Sequence, residues 1–425
     1  MARGVVTPAS RTVRCCIVGG GPAGMMLGLL LARAGVSVLV LEKHADFLRD
    51  FRGDTIHPST LELMRELGIL EEFLRLPHQQ VTRLAAQFGD FPATIADFTH
   101  LPTRCKFIAM MPQWDFLDFL VSRAKIFPTF QLEMRAEATA LIEEAGRVTG
   151  VRATTPAGPL EVRADLVVAA DGRSSVLRER AGLPVEDLGA PMDVLWFRLS
   201  RRPPDPAATM GRFDIGRIFV LINRGEHWQC GYVIPKGSAE EVRRRGLEAF
   251  RADVVHLAKW ASDRMGEIRD WEDVKLLTVK VDRLRQWYRP GLLCIGDAAH
   301  AMSPVGGVGI NLAIQDAVAA ANLLWEPLRA GPPTIAQLRG VQARRQWPTR
   351  VTQRLQVLVQ RRVITRALRG GQARLTPPLA IKLLARYPLL QRLPARLVGI
   401  GIRPEHVRSP TIQADPSAGR LRPRW

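Results

Sequence analysis

The chain has 425 residues, of which 47% are hydrophobic and 24% charged, and these proportions exclude a fibrous or an intrinsically disordered protein. This length predicts two or three domains. The five cysteines are scattered, without CxxC or Cys/His metal spacing, which favours reduced thiols in a cytoplasmic protein over disulfides or a metal site. The formal net charge is +19, and residues 351–425, with 15 Lys and Arg and 2 acidic residues, carry +13 of it.

The first predicted unit is a strand over residues 13–18, a glycine turn, a helix over residues 22–34 and a second strand that ends at Glu42. Glycines in GxGxxG spacing allow a tight turn, close approach of the backbone to a pyrophosphate, and packing of helix on strand. The amides and the dipole of the helix start favour phosphate. An acidic residue where Glu42 stands can hydrogen-bond ribose hydroxyls. The sequence therefore predicts a dinucleotide site, formed by Gly19, Gly21, Pro22, Ala23, Gly24, Glu42 and Lys43.

Residues 15–32 carry no charge and reach the ~18-residue length of a membrane span. Three glycines and Pro22 lie in the first half of this stretch, so we interpret it as a buried strand and helix. Residues 1–12 contain no apolar core, and a signal peptide is therefore not predicted.

The following elements are predicted from apolar periodicity. A helix over residues 61–74 has a core-facing stripe, and residues 81–100 alternate as an antiparallel strand pair would. A second helix covers residues 112–125, with Gln113 at its start. Further strands are expected around residues 131–142, 148–154 and 160–162.

A second informative block covers residues 164–183, where an apolar strand ends in Asp171-Gly172 and a helix starts near Ser174. Taken alone, this pattern fits a helix cap and turn as well as it fits a ligand contact. Residues 192–281 then become strand-rich and antiparallel in pattern, with one amphipathic helix near residues 239–258. This change of architecture predicts a second domain.

A third block covers residues 291–324, where a strand ends in Gly296-Asp297 and an alanine-rich helix starts near Asn311. The loop between them contains Pro304, Gly306, Gly307 and Gly309. Its glycines let the backbone approach a flat ligand, and the helix start offers backbone amides to a polar group.

The three blocks, in this order, resemble the single-component flavin monooxygenases of the p-hydroxybenzoate hydroxylase type, known as group A, over roughly residues 13–328. The resemblance implies an α/β fold with a Rossmann-type, parallel-sheet FAD-binding domain, an inserted antiparallel-sheet substrate domain and a helical C-terminal segment. The expected boundaries are 12–80, 101–185 and 282–345 for the FAD-binding domain, 81–100 and 186–281 for the substrate domain, and 346–425 for the basic C-terminal segment.

The resemblance also implies roles for individual residues. Glu42 would bind the adenosine ribose, Asp297 the ribityl and pyrophosphate region, and Asp171 both FAD and transient NAD(P)H. Arg52 would lie near flavin and nicotinamide, and Gln113 would contact the flavin; a solvated loop charge and a helix cap are the alternatives for these two. The remaining implied cofactor contacts are Gly172, Gly296, Pro304, Gly307, Gly309, Ile310 and Asn311.

The family's reaction uses NAD(P)H to reduce FAD, adds O2 at the flavin C4a carbon, and transfers one oxygen from the hydroperoxide to an aromatic or other electron-rich hydrophobic substrate. A halogenase or reductase of the same fold is an alternative, but the WxWxIP segment of halogenases is replaced here by residues 230–235, CGYVIP. Another alternative is a non-catalytic FAD protein in which the basic tail is the functional part. An assay of NAD(P)H oxidation with oxygen uptake discriminates between these functions.

No catalytic base is assigned from the sequence. His227, Tyr232 and Asp214 in the predicted sheet domain, and His300 after Asp297, are candidates by location alone. A satisfied core or surface residue is the alternative for each.

The basic tail alternates apolar and basic residues at helical spacing over residues 351–369 and again over residues 377–402. Such a stretch can lie on an anionic membrane. The alternative is a helical segment packed on the body with a solvated basic face. Nucleic acid is not expected, because aromatic residues are not interleaved with the basic ones. We expect a cytoplasmic protein, with peripheral contact at the inner face of a membrane as the further hypothesis.

Overall fold

The computed structural model describes residues 8–48, 55–206, 209–368, 376–414 and 421–424. Within these residues the strands are β1 (Ala9–Val18), β2 (Val38–Glu42), β3 (Thr55–Ile56), β4 (Gln79–Val81), β5 (Arg83–Phe88), β6 (Phe91–Asp97), β7 (Ile108–Met110), β8 (Phe130–Met134), β9 (Glu137–Glu144), β10 (Arg147–Thr155), β11 (Gly158–Ala169), β12 (Val185–Asp187), β13 (Met192–Ser200), β14 (Met210–Asp214), β15 (Arg217–Asn223), β16 (His227–Pro235), β17 (Lys275–Leu277), β18 (Asp282–Leu284), β19 (Tyr288–Arg289), β20 (Leu292–Cys294), β21 (Thr411–Ala414) and β22 (Leu421–Arg424). The α-helices are α1 (Pro22–Arg33), α2 (Pro58–Glu66), α3 (Leu70–Phe73), α4 (Gln113–Ala124), α5 (Val176–Arg180), α6 (Ala239–Arg244), α7 (Leu247–Leu257), α8 (Gly309–Ala330), α9 (Ile335–Val359), α10 (Thr365–Leu368), α11 (Leu379–Arg386) and α12 (Arg392–Gly399).

The larger sheet has eight strands in the order β19-β20-β11-β1-β2-β8, with β10 paired to β11 and β9 paired to β10. The central pairs are parallel, as the resemblance implies, and the pairs β10–β11, β9–β10 and β19–β20 are antiparallel. Every residue of β2 is buried, which is typical of a strand covered on both faces. The uncharged stretch at residues 15–32 is therefore a buried strand and helix.

The second sheet has seven strands in the order β17-β13-β16-β15-β14-β5-β6. Strands from residues 83–97 and from residues 192–277 thus join in one sheet. Its pairs are antiparallel except for the pair of β14 and β5, which come from two separate passages of the chain through this sheet and run parallel.

Two predicted helices are broken in the structure. The helix expected over residues 61–74 is α2 and α3, separated at Gly68, and the helix expected over residues 239–258 is α6 and α7, separated at Gly246. Both glycines have positive φ angles, +73° and +90°, which end a helix with little steric cost.

Helix α8 is the core helix of the larger sheet and contacts α1. By length and composition the segment Val305–Ala330 could cross a membrane, but 72% of its most apolar window is buried inside the protein. A core helix passes the same test, and we interpret α8 as one.

The C-terminal helices pack on the body. Helix α9 runs without a break across positions 345 and 346, where the boundary between the FAD-binding domain and the C-terminal segment was expected. It continues through a π-helical turn, Gln360–Ile364, into α10. One face of this helix is buried although its residues are polar: Arg345, Thr349, Gln353, Gln356 and Gln360. Helices α11 and α12 lie against β6, at the edge of the second sheet.

Candidate active site

The three sequence motifs leave the same edge of the larger sheet. Val18 is paired with Ala169, and Ala169 with Cys294, at the carboxyl ends of the parallel strands β1, β11 and β20. The Ile295 amide donates a hydrogen bond to Ala169 O at 3.0 Å. Ligands of open α/β sheets bind at this edge.

The glycine turn leaves no room for a side chain at Gly19 or Gly24. Gly19 has a φ of +109°, and a Cβ on it would lie 2.3 Å from Ala170 O. A Cβ on Gly24 would lie 2.0 Å from Gly19 O. Helix α1 can therefore approach the turn this closely only because both positions are glycine.

The start of helix α1 is open. Gly21 is its N-cap without a side-chain hydrogen bond, Pro22 is the first helical residue, and no acidic residue lies in the first turn. A Cβ on Gly21 would meet nothing within 4 Å. Unsatisfied amides facing open space are the usual site of a phosphate.

The carboxylate of Glu42 closes the turn from the other side. Its Oε2 accepts a hydrogen bond from the Gly20 amide at 2.9 Å, and its Oε1 accepts one from the His44 amide at 3.0 Å. Glu42 is only 8% exposed, whereas the next residue, Lys43, is exposed.

Asp171 has one engaged and one orphaned oxygen. Its Oδ2 accepts from the Leu177 amide at 3.3 Å, at the start of α5, whereas its Oδ1 is buried with no partner in the described part of the chain. Burial raises the pKa of Asp171, and hydrogen bonds from Ser175 and nearby amides offset part of this shift. Asp171 thus caps a helix and also holds a free acceptor beside the glycine turn.

Asp297 lies next to the second motif. Its Oδ2 is 3.6 Å from Arg173 Nη2, and its side chain is about one-third exposed. Gly296 packs against Ala23 of α1 and Ala313 of α8, because a Cβ on it would lie 3.2 Å and 3.1 Å from their Cβ atoms. The third motif therefore borders the same space at the sheet edge as the glycine turn and the Asp171 motif.

The loop at residues 304–311, which includes Pro304, Gly309 and Ile310, is tied to the segment after β2. Thr55 Oγ1 donates to Gly307 O at 2.8 Å. Asn311 Oδ1 accepts from the His57 amide at 3.0 Å and from Thr60 Oγ1 at 2.7 Å.

Two further predicted contacts, Gln113 and Gly172, are also among the described residues. Gln113 is the first residue of α4. Gly172, beside Asp171, has open space where a Cβ would stand. Arg52 lies outside the described residues.

A buried charged cluster supports the third motif, and the sequence did not predict it. Asp316 Oδ2 accepts from His300 Nε2 at 2.5 Å and from the Gly296 amide at 3.1 Å, and its Oδ1 accepts from Arg345 Nε at 3.0 Å. Burial is the largest influence and raises the pKa of Asp316, but His300 and Arg345 outweigh it, so its pKa lies below the ordinary value. His300 is therefore a structural partner inside the fold.

The other missed residues are the buried glutamines of α9 and the π-helical turn. Gln353 Nε2 donates to Ala301 O at 3.1 Å, and Gln360 Nε2 donates to Ser303 Oγ at 2.6 Å. The signal that could have indicated them is the recurrence of glutamine at positions 353, 356 and 360, at helical spacing.

The second sheet turns one apolar face to the motif loop. Val305 packs with a cluster that contains Trp196, Ile218 and Val233. A Cβ on Gly231 would lie 3.0 Å from the Trp196 ring, so the ring lies flat over this strand position. This face is an apolar wall beside the loop at residues 304–311.

The four candidate bases have different surroundings. Tyr232 donates to Asp253 at 3.3 Å on the opposite sheet face, where burial and then Asp253 raise its pKa to about 12. Asp214 lies 3.3 Å from His256. His227 lines a cleft of about 240 Å³.

The geometry fits FAD. The open amides at α1, the orphaned Asp171 Oδ1 and the one-third-exposed Asp297 form a polar edge, and an apolar face of the second sheet packs beside the loop at residues 304–311. A dinucleotide with a flat ring needs this order of phosphate, polar and apolar partners.

Comparisons with known proteins agree. A profile of the FAD binding domain family matches residues 12–354. The chain is 33% identical over 399 residues to 6-methylpretetramide 4-monooxygenase from Streptomyces rimosus, covering 93% of this chain and 94% of that protein. It spans about three-fifths of the length of several further curated relatives.

Solved structures have the same fold. OxyS anhydrotetracycline hydroxylase from Streptomyces rimosus superposes with a TM-score of 0.69 at 25% identity, covering 91% of this chain and 76% of that one. The p-nitrophenol 4-monooxygenase PnpA from Pseudomonas putida superposes with a TM-score of 0.73 at 19% identity, covering 91% and 97%, which shows the fold alone.

The chain belongs to the FAD-binding-domain family of group A flavoprotein monooxygenases. It is an FAD-dependent oxidoreductase, a monooxygenase that uses NAD(P)H and O2.

Proposed function

We propose that this protein hydroxylates a fused-ring phenolic substrate of the 6-methylpretetramide type. The observation that carries the proposal is the end-to-end similarity to 6-methylpretetramide 4-monooxygenase, which extends through the C-terminal helices rather than stopping at the cofactor fold.

The same proposal assigns the cofactor contacts. The amides of α1 that follow Gly21 bind the pyrophosphate, Glu42 binds the ribose, and Asp171 and Asp297 hold the polar middle of FAD. The loop at residues 304–311 and Gln113 border its ring. Bound FAD supplies electron transfer from NAD(P)H and the activation of O2. The protein's own residues position the two ring systems and exclude water from between them.

The test is turnover of 6-methylpretetramide by the FAD-loaded protein with NADPH or NADH. We expect reduced nucleotide to be consumed with the substrate present, and a product heavier by one oxygen atom that carries label from heavy-isotope O2. A product labelled from water, or no product with full FAD occupancy, would contradict the proposal.

A second proposal concerns helices α11 and α12, which we infer contact an anionic membrane surface. Leu379 on α11, Leu389 in the turn between the two helices and Leu393 on α12 are 72%, 69% and 64% exposed, an unusual density of solvent-facing leucines. The basic residues Lys382, Arg386, Arg392 and Arg396 are exposed on the same two helices. Each basic residue near an anionic surface contributes about 1 kcal/mol to the free energy of membrane binding, and burial of leucine side chains in the membrane adds to it.

Co-sedimentation with vesicles tests this surface. Full-length protein is expected to bind vesicles that contain phosphatidylserine more than neutral ones, and the double variant Leu389→Ser/Leu393→Ser is expected to lose most of this binding. The matched control is Ile126→Ser, which removes an apolar side chain that is 64% exposed elsewhere on the surface. Equal vesicle binding by the Leu389→Ser/Leu393→Ser variant and the Ile126→Ser control would refute membrane contact.

A further inference from the structure

The outward face of α9 is apolar, although the face that it buries is polar. Trp347, Leu355 and Leu358 are 56%, 39% and 49% exposed, whereas Gln353 and Gln356 are buried on the opposite side of the helix. A helix on a protein surface ordinarily has the reverse arrangement, with its polar residues toward solvent. The exposed side of α9 therefore has the composition of a contact surface.

The apolar residues on this face form one stripe along the helix. They recur at intervals of three, four or seven residues, which places them on one side of an α-helix. The members of the stripe are Ala336, Ala343, Trp347, Val351, Leu355 and Leu358. Val351 is half-buried, and the others are exposed. At a rise of 1.5 Å per residue the stripe is about 33 Å long, a length that suits a second helix.

The C-terminal helices leave this stripe uncovered. Helix α12 meets α9 at Pro348 and Thr352, which line one small cavity together with Leu397. These two positions lie on the flank of α9, next to the stripe and outside it. In the described part of the chain, the stripe is thus open to solvent.

The charge around the stripe is positive. Residues 327–404 contain 16 Lys and Arg and no Asp or Glu. Among these, Arg339 on α9 and Arg361 in the π-helical turn are exposed, and neither forms an ion pair with a described residue. A partner that covers the stripe must therefore supply negative charge.

We propose that the outward face of α9 binds an acidic amphipathic helix of a partner protein. The apolar side of that helix packs against Trp347 and Leu355. Its carboxylates pair with Arg339 and Arg361, because a guanidinium binds a carboxylate through two parallel hydrogen bonds. Tryptophan and arginine are enriched among the residues that dominate the binding energy of protein interfaces, whereas lysine is depleted there. Residues 335–368 contain eight arginines and no lysine.

The small residues at one end of the stripe favour a helix over a membrane. Ala336, Gly340 and Ala343 let a second helix approach closely, since no long side chain stands between the two backbones. The same residues would bury little apolar area in a bilayer, in contrast to the exposed leucines of α11 and α12. A second copy of this chain is disfavoured as the partner, because it would place arginine against arginine.

Binding of a labelled peptide to the full-length, FAD-loaded protein tests this surface by fluorescence anisotropy. The probe is a synthetic helix of about 25 residues with leucine and alanine on one face and glutamate along its flanks. A shuffled peptide of the same composition and a peptide with lysine in place of glutamate should each bind at least about tenfold more weakly. Trp347→Ser and Leu355→Ser/Leu358→Ser should each weaken binding of the acidic helix about tenfold. Arg339→Gln/Arg361→Gln should weaken it severalfold and reduce its dependence on salt.

Ala343→Leu separates a helix from a membrane as the occupant. The added side chain stands where the second helix would approach, so binding of the acidic peptide should fall, whereas a larger apolar residue should not weaken binding to phosphatidylserine vesicles. The matched controls are Ile126→Ser, at an exposed apolar residue elsewhere, and Arg75→Gln/Arg180→Gln, at two exposed arginines elsewhere. Both controls should leave peptide binding unchanged.

Equal binding of the acidic and the shuffled peptide would overturn the proposal, as would peptide binding that Trp347→Ser and Ala343→Leu leave unchanged. Vesicle binding that depends on Trp347, without binding of the acidic peptide, would assign the face to a membrane and so also overturn it. The measurement involves no turnover, so its outcome does not depend on the substrate of the enzyme.

Discussion

The Gln356 side chain forms hydrogen bonds with both the backbone amide and the backbone carbonyl of Ser303. Its Nε2 donates to Ser303 O at 3.0 Å and to Val305 O at 2.9 Å, and its Oε1 accepts from the Ser303 amide at 3.2 Å. Through these bonds a helix beyond the third motif fixes the loop that borders the flavin ring in the proposed site.

Replacement of Gln356 by leucine should therefore loosen this loop. Buried backbone groups left without partners cost about 1–3 kcal/mol, so we expect the free energy of unfolding to fall by about that amount. Urea unfolding of the apoprotein measures this loss of stability, and the dissociation constant of FAD measures the effect of the loosened loop on cofactor binding. Arg354→Leu, on the exposed face of the same helix, should change neither value. Equal behaviour of the two variants would show that the loop does not depend on Gln356.

His57 makes stability depend on pH. It is fully buried, and its Nδ1 donates to Val398 O at 2.7 Å, while Nε2 has no partner in the described residues. Burial lowers its pKa to about 4, against the raising effect of the Val398 hydrogen bond. An unfolded chain binds this proton near pH 6.5, so stability falls as the pH falls from about 6.5 through about 4.

We expect His57 to account for about 2 kcal/mol of the stability lost between pH 7 and pH 5. His57→Phe keeps a ring in the site but cannot take up a proton, so the variant should be less stable at pH 7 and lose less on acidification. Urea unfolding at the two pH values measures this difference. Parallel losses in the two proteins would rule out His57 as the titrating group.

Asp297→Ala tests the third motif. If Asp297 accepts a hydrogen bond from FAD, its loss costs roughly 1.5–3 kcal/mol, or about 10- to 150-fold in FAD affinity. Fluorescence titration of apoprotein with FAD measures it. Asp90→Ala removes an exposed carboxylate near the second sheet and should leave the affinity unchanged. Unaltered FAD affinity in Asp297→Ala would refute this assignment.

Two alanine substitutions in the glycine turn should affect different properties, apoprotein stability in one case and FAD affinity in the other. In Gly24→Ala the new Cβ would stand 2.0 Å from Gly19 O, so the turn must shift and thermal stability of the apoprotein should drop. In Gly21→Ala the Cβ enters open space, so the apoprotein should keep its stability while FAD affinity falls. Thermal unfolding and FAD titration of both variants separate these outcomes. Loss of apoprotein stability in Gly21→Ala would show that the space is already filled.

Several features could be predicted from local sequence because they have local causes. The strand, turn and helix at Gly19 to Gly24 follow from backbone sterics, and the buried strands follow from uninterrupted apolar residues. The family resemblance then implied the α/β fold that the comparison with solved structures shows. The helix breaks at Gly68 and Gly246 were missed because apolar periodicity continues across a single glycine.

The glycine turn, Asp171 and Asp297 are each visible in the sequence, whereas their meeting at one sheet edge depends on the strand order β20-β11-β1. The cluster of His300, Asp316 and Arg345 and the clamp of Gln356 on Ser303 depend on contacts between residues far apart in the chain. The spacing of Gln353, Gln356 and Gln360 places them on one face of a helix, but only the partners that satisfy these side chains decide whether that face can leave water. Tertiary structure alone therefore determined that the basic C-terminal helix turns its glutamines inward onto the cofactor loop.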